Sequence, residues 1–162
     1  MEQFSSVDIT SSAGSTSDRQ AILGEIREIK HASKGAQQWR YILNTDVIPM
    51  PIGTLAQRTP ATVNSGSAIV CVTSKCPKRK ILGAAQYVIA VGYYGWVLAK
   101  GIGSLIGDGS VVANDTVHAN GTSGRCVTSV LTNADEVAAG IGLALGADGI
   151  AGTLFDAEVD AL

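Results

Sequence analysis

The chain is 162 residues long, 46% apolar and 16% charged, where soluble domains usually carry about 25% charge. Disorder throughout is excluded, because so apolar a chain can offset the entropy of ordering, and the 19 glycines follow no collagen-like triplet. The net charge of −2 gives no general pull toward nucleic acid or acidic membranes, and the length predicts one domain.

Residues 1–17 hold six serines and two threonines around Phe4, Val7 and Ile9. Such a stretch cannot build a core, and it predicts an extended arm whose apolar residues are candidate partner contacts. Its opening, MEQFSSVDIT, has neither a basic nor an apolar leader region, so the thiols are expected to be reduced in a cytosolic setting. The segment 18–162 is read as a single β-rich domain.

Ser17-Asp18-Arg19-Gln20 has the form of a capping box, and Ile22, Ile26 and Ile29 follow at helical spacing. The literal pattern is a short helix over 18–31. The rival is a hairpin whose strands are Glu25–Lys30 and Gln37–Leu43, turning through His31-Ala-Ser-Lys-Gly35.

From Tyr41 onward short apolar stretches recur about every ten residues, at Ile48–Leu55, Ala68–Val72, Ile81–Val91, Tyr94–Lys100, Thr116–Ala119, Cys126–Leu131, Val137–Leu145 and Thr153–Val159. Asn-Gly, Asp-Gly and Pro-Met-Pro turns separate them. Many short strands at even spacing predict an all-β body, a small sandwich or barrel-like fold of antiparallel strands. Asp156, Glu158 and Asp160 alternate with Ala157, Val159 and Ala161, a strand with one wet face.

Charge is unevenly spread. Residues 41–80 carry a net +4 and residues 81–162 a net −6. Such a dipolar chain suits packing against copies of itself or on a charged protein lattice. The sharpest cluster is Lys75, Lys78, Arg79 and Lys80, a candidate contact for an acidic protein neighbour; no aromatics interleave with it as a nucleic-acid groove would want. Immediately after it, Ile81 to Ala99 is an uncharged run of nineteen residues. Hydropathy and the basic flank make it a membrane-span candidate, but Gly83, Gln86 and Gly92-Tyr-Tyr-Gly95 interrupt it and favour two buried strands joined at Gly92.

No chemistry is predicted. Ser110, Asp115 and His118 lie close in sequence, yet no nucleophile elbow surrounds Ser110 and Asp115 sits in an Asn-Asp turn. Gly101-Ile-Gly103 with Gly107 does not match a dinucleotide loop. Cys71, Cys76 and Cys126 fit no zinc spacing and read as small core residues, while Trp39 and Trp96 read as core or interface anchors. No catalytic residue, metal, cofactor or small-molecule substrate is expected.

Leu82-Gly-Ala-Ala-Gln86, Tyr93-Tyr-Gly-Trp-Val97, Lys100-Gly101, Gly107-Asp-Gly-Ser-Val111 and Ile141-Gly-Leu-Ala-Leu145 occur in that order. This succession resembles the head decoration, or cement, proteins of tailed bacteriophages, over roughly residues 22–160. Gly24-Glu25 and Trp39-Arg-Tyr-Ile-Leu-Asn44 resemble their opening hairpin, which favours a hairpin over a helix for 24–43. The serine-rich arm and the basic cluster depart from that pattern. The resemblance implies a non-enzymatic all-β virion protein on the capsid surface. It would bind the major capsid protein, bridge and stabilise capsid subunits, and form a homo-oligomer, with a trimer favoured. The alternatives are a head-fibre or tail-associated phage protein, and a small membrane protein anchored through residues 81–99.

Overall fold

The computed structural model describes residues 15–59, 67–70, 76, 78–119, 124–128 and 140–162. Among the described residues ten strands form one all-β sheet: β1 (Ile26–His31), β2 (Gly35–Asn44), β3 (Leu55–Arg58), β4 (Ser67–Val70), β5 (Ile81–Ala85), β6 (Tyr94–Ile106), β7 (Thr116–Ala119), β8 (Cys126–Thr128), β9 (Gly142–Ala144) and β10 (Leu154–Asp160). Their order is β1-β2-β4-β3-β5-β6-β10-β9-β7-β8, and a further pairing joins β2 to β6.

That extra pairing curls half of the sheet on itself. β2, β4, β3, β5 and β6 are joined edge to edge into a five-strand ring, so part of the molecule is barrel-like. The closure β2–β4 is short and parallel, through Leu43↔Ser67 and Asn44↔Ala68, while the other described strand pairs are antiparallel, as the sequence predicts. The other half, β10-β9-β7-β8, fans out from the distal part of β6. β6 therefore serves two neighbours in succession: residues 94–100 pair with β2, and residues 100–106 pair with β10. This strand runs beyond the Tyr94–Lys100 expected from the sequence, through Gly101 and Gly103 to Ile106.

Burial follows the strand period. β10 alternates exposed and buried residues along its length, as its acid–apolar alternation predicts. Trp39 and Trp96 are both fully buried, with Tyr41, Ile42, Leu82, Leu98 and Leu105 around them. Cys76 and Cys126 are buried within the core, and Cys71 lies outside the described residues.

The helix expected over 18–31 is not formed. Gly24 has φ +85°, outside the helical region, and β1 pairs with β2 from Ile26↔Arg40 to His31↔Gly35. Ile22 and Ile26 of the supposed apolar face are exposed. The hairpin is the correct reading. The apolar run 81–99 is likewise two strands, β5 and the first part of β6, with an irregular excursion over 86–93. Among the described residues no helix is long and apolar enough to cross a membrane. Of the Ile48–Leu55 stretch only Leu55 is strand, the first residue of β3; Pro49 and Pro51 hold the rest as a loop that bridges to Ile89 at Met50 and bonds the backbones of Ala85 and Ile106 through Gly53 and Thr54.

Candidate functional site

Ser110 gives both its amide and its hydroxyl to Asp108 Oδ1, at 3.1 and 2.6 Å. This is a local turn motif, the role such residues usually play in loops. His118 lies on β7, nine-tenths buried. Asp148, which the sequence reading did not single out, is the organising acid of this region. Its carboxylate is almost fully buried and accepts the Gly109 amide at 2.6 Å and the Val111 amide at 3.1 Å, pinning the 107–111 loop. Cys126 lies beside this loop; burial pushes its thiol pKa up, and the negative charges of Asp108 and Asp148 push it the same way. Among the described residues no group of three His, Cys, Asp or Glu side chains is arranged to hold a metal.

The basic cluster is partly committed within the molecule. Lys78, in a single 3-10 turn with Arg79 and Lys80, forms an ion pair with Asp160 at 2.6 Å. Arg79 and Lys80 are exposed. Lys75 lies outside the described residues, as do Phe4, Val7 and Ile9 of the arm. The structure thus links one member of the cluster to the acid row of β10, a pairing across 82 residues.

Residues 15–25 form a strap across one face of β2 and β6. Thr16 exchanges two backbone hydrogen bonds with Tyr94, and the Gln20 amide donates to the Tyr41 hydroxyl at 2.8 Å. Burial raises the pKa of that hydroxyl, against the hydrogen bonds it accepts. Beneath the strap the rings of Tyr94, Tyr41 and Trp96 form a ladder, with centroid separations of 5.8 and 4.9 Å, and Arg27 sits 4.9 Å above the Trp96 ring. The depression here, lined by Arg19, Gln20, Ala21, Ile22, Glu25 and Arg27, is wide and open. A smaller hollow between His31, Lys34, Gln37, Trp39, Gln86 and Ser104 has its amides already engaged. Gln37 donates to Ile102 O at 2.6 Å, and Gln86 exchanges two bonds with the Ser104 backbone.

The feature that sequence reasoning missed is apolar. Loops 45–53 and 86–93 close one end of the strand ring, where β2 and β5 finish and β3 and β6 begin. Asn44 binds the two loops together. Its fully buried side-chain amide donates to the carbonyls of Ile48, Ile89 and Ala90, and its carbonyl oxygen accepts the Asp46 amide. Met50 and Ile89 exchange backbone bonds alongside. The result is a firm tip from which Val47, Ile48, Ile52, Val88, Val91 and Tyr93 face solvent. The signal was present in the two prolines, which exclude a central strand; the Val/Ile content read instead as burial.

No known protein family matches the chain, and no curated protein matches it. A solved structure does: the chain is similar to the N base of the head fiber protein gp8.5 of bacteriophage phi29. The TM-score is 0.52 at 10% sequence identity, over 76% of this chain and 93% of that one. The likeness is one of fold.

Proposed function

We propose that this chain is a non-enzymatic structural protein of a bacteriophage particle, carried on the outside of the head as the base of a fibre or as a decoration. The observation that carries this reading is the similarity of fold to a head-fiber base, which extends over nearly all of that chain. Two features of the described residues support it: the body is a small, all-β unit, and a firm apolar end is left uncovered among them. Of the two head-bound roles, the fibre-base role is favoured, because the similar structure is itself a fibre base. Bridging and stabilising subunits of the major capsid protein is the finer form of the same reading, with the arm and the exposed Arg79 and Lys80 as its contacts.

The test is to locate the chain in purified particles with a specific antibody. Labelling of heads supports the reading, and labelling of tails or of host membranes alone overturns it. Stripping the chain with mild denaturant then separates the two roles. A bridging protein leaves heads that burst at lower temperature, whereas a fibre base leaves head stability unchanged.

A further inference from the structure

No described residue covers the apolar tip, and its chemistry narrows what can cover it. Val47 is 89% exposed and Val88 51%, with Ile48, Ile52, Val91 and Tyr93 beside them. Together they make an apolar patch on the order of 500 Å², at the upper end of what a monomer leaves in water. The sole charged residue of the two loops is Asp46, and its carboxylate is turned back onto the amides of Val47 at 2.7 Å and Val70 at 2.8 Å. The two loops therefore offer no charge for an acidic or basic partner to match.

We infer that the tip is an interface between copies of this chain, the apolar end of one covering that of another. A symmetric contact sets each patch against its own kind, which a charged patch resists and this one does not. The size also fits. A standard interface buries about 800 Å² per partner, rather more than half of it apolar, or about 450 Å². Ordering costs little on association, because Asn44, Pro49, Pro51 and the Met50–Ile89 bridge already hold the loops. Tyr93 adds a ring with a polar tip at the rim, a residue type enriched at interfaces. This inference is independent of the phage reading, and either can fail alone.

Sedimentation velocity of the full chain tests it. The wild type is expected as an oligomer at micromolar concentrations. Val47→Asp and Val88→Asp, each placing a carboxylate in the contact, should weaken association about a hundredfold or more and yield the 16.6 kDa monomer. Both positions are exposed in the single chain, so the variants should keep the wild-type far-ultraviolet dichroism, and any fall in melting temperature should be only the part that depends on wild-type concentration. Ile150→Asp, at a 73% exposed site in the loop before β10, should leave the oligomer intact. A monomeric wild type overturns the inference. So does an oligomer that survives both tip variants, or one that Ile150→Asp or removal of residues 2–14 dissociates while the tip variants do not. A monomer that binds heads and loses that binding in Val47→Asp would assign the tip to the capsid instead, and would equally overturn it.

Discussion

The Tyr87 hydroxyl accepts the backbone amide of Trp96 at 2.7 Å, taking the place of a strand. β5 pairs with β6 at Leu98 and Val97 and then turns away. On the same edge of β6 the next inward amide, that of Trp96, goes to Tyr87, and the following one, Tyr94, goes to Thr16 of the strap. Three different chain segments thus satisfy one strand edge.

Tyr87→Phe leaves the Trp96 amide buried without its acceptor. The expected loss is about 1–3 kcal/mol, a fall in melting temperature of about 2–4 °C per kcal/mol at this chain length. Hydrogen exchange should show the Trp96 amide opening faster than its neighbours. Unchanged stability and protection would show that the bond contributes nothing.

Gly83 lies where β5 crosses closest to β6. Its φ is +151°, and a methyl group there would stand 2.5 Å from the Leu98 carbonyl oxygen. Gly83→Ala must therefore move backbone, at a cost of several kcal/mol, about 3 or more. Gly92, with φ +74° and open space around it, is the control; Gly92→Ala should cost only about 1 kcal/mol. Thermal melts of the two variants distinguish close approach from turn strain, and equal effects would refute the distinction.

The parts of this fold legible in the sequence are those with a local period. The 26–44 hairpin, β7 and the alternation of β10 all follow from neighbouring residues. The ring closure does not, because Leu43↔Ser67 and the Lys78–Asp160 pair depend on partners distant in the chain. Hydrophobicity misled at the tip: Ile48, Val88 and Val91 are the residue types of a buried strand but are held outward by the bracket at Asn44. The helical spacing of Ile22, Ile26 and Ile29 was overridden by pairing with β2. Of the candidate contacts, Lys78 is paired, Arg79 and Lys80 are exposed, and the remaining four lie outside the described residues.

Asp148→Ala should release the 107–111 loop. It removes an acceptor from two amides, Gly109 and Val111, at a site only 4% exposed. The expected destabilisation is about 2–3 kcal/mol, since hydrogen bonds to a charged group exceed neutral ones. Asp148→Asn, which keeps one acceptor oxygen, should recover about half of it. Denaturant melts read both values; a neutral alanine variant would show the loop to be held by other means.

Cys126 should be inert toward thiol reagents in the native protein. Reaction needs the thiolate, and burial with two nearby carboxylates raises the pKa of this thiol. In a Cys71→Ser background, labelling of Cys76 and Cys126 is expected only on unfolding, with both reacting together. Rapid labelling of either in the folded state would contradict the buried placement.

The strap should loosen in acid before the body unfolds. Glu25 accepts Arg27 Nε at 2.7 Å and the Ile22 amide at 3.1 Å. These contacts, the Arg27 bond foremost, hold its carboxyl pKa below its ordinary value of 4.5. A depressed carboxyl pKa contributes stability that is fully present above the unfolded value, and that stability is lost as pH falls through the folded one. Both side chains are partly exposed, at 29% for Glu25 and 41% for Arg27, so the pair contributes less than about 1 kcal/mol. Its loss affects the strap rather than the fold. Because Arg27 lies over the Trp96 ring, tryptophan emission should change below pH 4.5 while far-ultraviolet dichroism stays constant. Glu25→Gln should abolish that step and give the acid-state emission at neutral pH. A step that persists in Glu25→Gln would assign it to another carboxyl group.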